Sequence, residues 1–135
     1  MKLFPIALGC MGMSRMYGHA DDNESIATIH AALDHGINLI DTGDFYGTGH
    51  NEMLIGRALH GRQAQVMLSV KFGALRGPGG EWLGIDTRPV AVKNFVAQSR
   101  NSELMTALIV KSLGHSQSCT ISFTPLLPRT PLIIC

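Results

Sequence analysis

Between Leu3 and Lys71 short apolar runs alternate with stretches of helical periodicity, an order that suits a parallel α/β arrangement. Leu3 to Leu8 reads as a short buried strand ending at Gly9, where a glycine-containing loop, Gly9 to Ser14, begins. Asp21 to Glu24 offers an N-cap and first-turn acids, and Ile26, Ile29, Ala32 and Leu33 then recur at helical spacing until Gly36 supplies the stop. Ile37 to Ile40 follows as a strand that ends at Asp41. The unit then repeats, with a loop from Thr42 to Gly49 and a helix near Asn51 to His60 carrying Met53, Leu54, Ala58 and Leu59. Val66 to Val70 is a strand apolar on both faces, ending at Lys71.

Beyond Lys71 the signal weakens. Gly73 to Gly84 is glycine-rich and reads as a loop, with Trp82 as its anchoring side chain. Thr87 can cap a helix that has Pro89 in its first turn and buries Val92, Phe95 and Val96. After Arg100 neither period persists, and Ser118 to Cys135 mixes serine, threonine, proline and apolar residues without order.

Composition sets the outer limits. With 45% apolar and 16% charged residues in 135, the chain can bury a core, and a net charge of +1 gives no footprint for nucleic acid or an anionic membrane. Three widely spaced cysteines, Cys10, Cys119 and Cys135, fit reduced thiols, which points to the cytoplasm. Met1 to Ala7 is neither a signal peptide nor a membrane span.

Two successive strands end in an ionisable residue, Asp41 and Lys71, and the loop between them carries Tyr46. Ligands of parallel α/β folds are handled at the carboxyl ends of the strands, so these residues can converge on one site. A phenol gives up its proton at neutral pH only when a cation stabilises the phenolate, and Lys71 can be that cation with Asp41 balancing its charge. Such a trio suits carbonyl reduction, with Tyr46 as proton donor and a nicotinamide as hydride source. Taken one at a time, the same residues read first as a turn cap, a snorkelling lysine and a packing tyrosine.

Three longer stretches carry a resemblance. Leu8 to Ser14 with Tyr17-Gly18, Gly36 to Gly47 continued by Asn51-Glu52 and Ile55 to Leu59, and Val66 to Gly73 together resemble the aldo-keto reductase family. The resemblance runs from about Phe4 to Ser99 and implies a TIM (β/α)8 barrel, NADPH as cofactor and a small-molecule carbonyl as substrate. It also implies that Asp41, Tyr46 and Lys71 are three of four catalytic residues, with Met11, Gly12 and Asp41 beside the nicotinamide. Gly80 to Gly84 looks like an insertion found in a bacterial and yeast branch that includes pyridoxal reductases and auxin-induced-type proteins. The family's fourth catalytic residue, a histidine after the next strand, has no match beyond Ser99, and His115 has the wrong neighbours.

The expected organisation is therefore a partial barrel of about three βα units over residues 1–99, followed by an irregular tail over 100–135. A complete barrel needs at least about 200 residues, so truncation is expected. A one-base shift of reading frame near Ser99 would explain the tail, because codons for Arg100 to Met105 read from their last base can spell Lys-Leu-Arg-Thr-Asp-Asp, which resembles the family's continuation.

Other features rank lower. Gly77 to Gly80 lacks a phosphate-loop pattern, and the six histidines form no metal-ligand spacing. His50 can edge the substrate pocket, Cys10 reads as a small buried hydrophobe, and Pro131 to Cys135 is apolar enough to promote association. Two other functions compete with a reductase. One is an NADPH-binding regulatory subunit resembling potassium-channel β-subunits. The other is a truncated product without its own activity, poorly folded or self-associating through open sheet edges.

Overall fold

The computed structural model describes residues 2–101, 108–112 and 121–122, with side chains through residue 99. Cys119, Cys135, His115 and the apolar segment Pro131 to Cys135 lie outside the described residues, as does most of the stretch on which the frame-shift reading rests. Strands β1 (Leu8–Gly9), β2 (Leu39–Gly43) and β3 (Met67–Phe72) are linked by helices α1 (Asp22–Asp34) and α2 (His50–Ala58). A hairpin, β4 (Ala74–Arg76) with β5 (Trp82–Ile85), precedes helix α3 (Pro89–Asn101), after which come β6 (Leu108–Ser112) and β7 (Ile121–Ser122). The main sheet has the order β1-β2-β3-β6-β7, parallel except for the last pair.

Local chemistry explains the helix ends. The Asp21 side chain accepts a hydrogen bond from the Glu24 amide at 2.9 Å and so caps α1, whose first turn carries Asp22 and Glu24. Gly36 ends it at a φ of +86°, a conformation that glycine adopts without a Cβ penalty. Helix α3 begins at Pro89, where the absent N–H costs nothing. Its approach is held by Asp86, not by the expected Thr87 cap: an Asp86 oxygen accepts from the Arg88 amide at 3.0 Å.

The core lies between the sheet and its helices. Ile29 of α1, Ile55 of α2, Leu59, and Ile40, Leu68, Val70 and Phe72 of the strands are all essentially buried. Side chains of this kind stabilise a fold by about 1.5–3 kcal/mol each when buried. Val92, Phe95 and Val96 of α3 pack partly against the same cluster.

Four expectations need correcting. The first strand is shorter than expected: only Leu8 and Gly9 pair with β2, while Leu3, Phe4 and Ile6 are exposed. Pro5 has no N–H for a ladder, and the Asn38 side chain satisfies the neighbouring backbone instead, accepting from Phe4 N and donating to Lys2 O, each at 2.8 Å. Met53 faces outward, and Ile55 takes the buried place on α2. The stretch read as a loop from Gly73 to Gly84 contains the β4–β5 hairpin. Beyond Arg100, the short apolar run Leu108 to Val110 is part of β6, a fourth parallel strand in the segment without visible period. No described helix is long and apolar enough to cross a membrane.

Candidate active site

Strands β2 and β3 pair with Asp41 opposite Ser69 and Gly43 opposite Lys71. Side chains two residues apart on a strand share a face, so Ser69 and Lys71 both reach towards Asp41. Lys71 Nζ is in direct contact with Asp41 Oδ1, and Ser69 Oγ donates to Asp41 Oδ2 at 3.0 Å. Both charged side chains remain partly open, with 22% of Lys71 and 30% of Asp41 exposed. Burial alone would push the Lys71 pKa down, but its bonds to Asp41 and Tyr46 outweigh that and raise it above its ordinary value. The lysine is therefore firmly cationic at neutral pH.

Tyr46 completes the group. The loop after β2 turns tightly, with Tyr46 N donating to Gly43 O at 3.0 Å, and the ring is 3% exposed. Lys71 Nζ stands 5.3 Å from the ring centroid, while Phe45 packs edge-on to the ring at 4.8 Å. Gly43 permits this packing, because a Cβ there would come within 3.1 Å of Phe45 and 3.2 Å of Tyr46.

The turn Met11–Ser14 flanks the same strand end. Cys10 N donates to Asp41 O at 2.9 Å, which ties the turn to β2. Buried Asn51 is the second tie: it accepts from Thr42 Oγ1 at 2.6 Å and donates to Cys10 O at 2.8 Å and to Ser14 Oγ at 2.7 Å. Met11 accepts from Tyr17 Oη at 3.0 Å, and Gly12 lies against the Tyr17 ring. Next to Asp41, the position where a Cβ on Gly9 would stand has no atom within 4 Å. The backbone beside Asp41 is therefore open to the approach of a flat group at Gly9.

The structure thus brings Asp41, Tyr46 and Lys71 together, and Met11 and Gly12 follow Cys10, whose amide bonds Asp41, in the turn at that strand end. His50 does not edge this group: its ring bonds Ser14 Oγ at 3.0 Å and Asp22 at 3.2 Å, bracing the turn from outside. Cys10 is fully buried, and its thiol is pushed up to about 12 by burial and by Asp41, with Lys71 opposing. It packs as a neutral group.

Sequence reasoning missed several residues. Ser69 was discoverable from its place two residues before Lys71. Asn51 and Glu52 stand in the quoted motif, yet nothing in a linear reading distinguishes a buried hub from a helix start. Asp44 has two buried oxygens without a complete hydrogen bond, and one oxygen of Glu52 is in the same state. Burial, and then the Glu52 charge, raise Asp44 to about 7, only partly offset by the Phe45 and Gly73 amides. Burial also raises Glu52, with Ser99 opposing.

Comparison with known proteins adds ancestry to geometry. The aldo/keto reductase family model matches residues 5–116. An aldo-keto reductase [NADP(+)] of Schizosaccharomyces pombe is 36% identical over 86 residues, covering 62% of this chain and 25% of that protein. Among solved structures, the holo form of an aldo-keto reductase from Bacillus halodurans superposes with a TM-score of 0.70 at 27% identity, covering 79% of this chain and 35% of that one. A glycerol dehydrogenase from Gluconobacter oxydans gives a TM-score of 0.69 at 34% identity, covering 82% and 35%. The chain therefore spans about a quarter to a third of the length of these relatives, and its α/β fold is a portion of their TIM barrel.

Proposed function

We propose, from the premise that the chain belongs to the aldo/keto reductase family, that its site reduces aldehydes or ketones to alcohols with NADPH. The observation that carries this reading is the contact of Lys71 with Asp41 beside the Tyr46 ring. Tyr46 is the proton donor to the carbonyl oxygen, and the Lys71 cation favours the phenolate that the transfer leaves behind. Asp41 orients the ammonium and balances its charge, and Ser69 fixes the carboxylate by occupying its second oxygen. NADPH, when bound, supplies the hydride. Met11 and Gly12 would border its ring, in a turn tied to β2 through Cys10 and Asn51.

Support for the cofactor comes from the family and from the S. pombe relative, whose name specifies NADP(+). Reduced thiols and modest net charge favour the cytoplasm. The test is titration of the purified chain with NADPH, followed by cofactor fluorescence and then by oxidation with a generic aldehyde. Saturable binding with turnover that Tyr46→Phe abolishes is the expected result. Tight binding without turnover would favour a regulatory subunit, and no binding at high cofactor concentration would mean that this chain is a reductase in ancestry only.

A further inference from the structure

A cleft of about 170 Å³ opens between the loop after β2, strand β4 and helix α3. Its floor is apolar, formed by Ala74, Leu75 and Phe95, and its polar edge is formed by Thr48, Arg76 and Gln98. Phe45 belongs to its wall and packs on the Tyr46 ring, so one side chain separates the cleft from the tyrosine that would serve the carbonyl.

Arg76 gives the cleft its chemistry. Its guanidinium carbon lies 6.0 Å from the centre of the Phe45 ring and 5.5 Å from the centre of the Trp82 ring, which holds the planar fork between two aromatic faces. Its side chain makes one hydrogen bond among the described residues, from Nη1 to Gly80 O at 3.1 Å, so most of its donors remain available. Arg57, Arg62 and Arg88 each pair with a carboxylate, and Arg76 pairs with none among the described residues. The acid that shares the cleft, Asp44, turns both oxygens into the interior and is raised to about 7, so it is a weak counter-charge at neutral pH and below.

A cation that is fixed in a plane, short of partners and next to a reducing site is arranged to receive a planar anion in a bidentate fashion. We propose that this cleft is the subsite for a carboxylate carried by the carbonyl substrate, with Arg76 as its anchor. The aldehydes or ketones favoured are then those with a carboxylate a few bonds from the carbonyl. This assignment rests on the reading of Tyr46 as the proton donor and adds the class of substrate to it.

The test compares 4-(hydroxymethyl)benzoate with benzyl alcohol, the alcohols that the carboxylated and the plain aromatic aldehyde would yield, for binding to the 135-residue chain by calorimetry. The carboxylated alcohol should bind about 10-fold or more tightly, as expected for a charge-assisted hydrogen bond. Arg76→Met should erase the preference, Arg76→Lys should keep part of it, and Lys93→Met, a change of the same charge on exposed α3, should leave it intact. Circular dichroism verifies that the variants fold. A preference that survives Arg76→Met, or no preference in the parent chain, overturns the subsite, and so does an equal loss of NADPH affinity in Arg76→Met, which would assign the cation to a cofactor phosphate. Oxidation of NADPH by 4-carboxybenzaldehyde and by benzaldehyde separates the two ideas. Equal efficiency with both aldehydes removes the subsite and leaves the reductase, whereas an Arg76-dependent preference in binding without any turnover removes the reductase and leaves Arg76 as a carboxylate anchor alone.

Discussion

Replacing Asp44 by asparagine should flatten the pH dependence of folding stability. In the folded chain burial and the Glu52 charge raise the Asp44 carboxyl from its ordinary 3.8 to about 7. The folded state therefore keeps a proton that the unfolded state has released. Stability tied to this group is fully present below about pH 4 and is lost as pH rises to about 7. At about 1.4 kcal/mol per pH unit, the interval between pH 5 and pH 8 removes about 2–3 kcal/mol. Asp44→Asn carries no charge to bury, and its amide can donate towards the unpartnered oxygen of Glu52. Urea denaturation followed by far-UV circular dichroism at low protein concentration measures the effect, since titrating groups that do not touch Asp44 cancel between variant and parent. The variant should lose about 2–3 kcal/mol less than the parent over that interval. Parallel pH profiles for the two proteins would refute the assignment of a buried, proton-holding Asp44.

Other perturbations follow from the same geometry. Asn51→Ala removes three buried hydrogen bonds and leaves the buried Thr42 hydroxyl without this partner, which should cost about 3 kcal/mol; Arg62→Ala, which breaks an exposed pair with Asp34, should cost under about 1 kcal/mol, and equal urea midpoints for the two would contradict the hub role. Lys71→Met should cut turnover by about 100-fold or more, because the proton transfer from Tyr46 loses the neighbouring cation; unchanged turnover would remove Lys71 from the chemistry. Cys10, buried with its thiol near 12, should resist iodoacetamide at pH 8 in the folded chain and react in urea, as peptide mapping by mass spectrometry would show. Leu3, Phe4, Ile6 and, on the hairpin, Trp82 and Leu83 are exposed, so light scattering should find association that increases with concentration; a monomer at all concentrations would contradict that.

Much of this architecture was legible because it depends on local chemistry. Asp21 caps α1 and Gly36 ends it through bonds within a few residues, and such signals survive in a linear reading. Asp41 and Lys71 were legible as partners because adjacent parallel strands deliver their carboxyl ends to one side of a sheet. The hairpin was not, since the glycines between Gly73 and Gly84 mask the alternation of Leu75, Arg76, Trp82 and Ile85. Strand β6 was not, because its apolar run of Leu108 to Val110 is too short to separate from an irregular segment. The aromatic clamp on Arg76 and the buried pair of Asp44 and Glu52 depend on which surfaces meet in space, and no period in the chain records that.

If Tyr46, Lys71 and Asp41 act together to reduce a carbonyl, deuterium passes from the cofactor to the product. The chain is incubated with NADPH deuterated at the transferable position of the nicotinamide and with benzaldehyde, and the product alcohol is analysed by mass spectrometry. Benzyl alcohol carrying one deuterium is expected from the parent chain and none from Tyr46→Phe. Labelled alcohol formed equally well by Tyr46→Phe would contradict the role of the tyrosine, and no labelled alcohol from the parent chain would contradict reduction by this site.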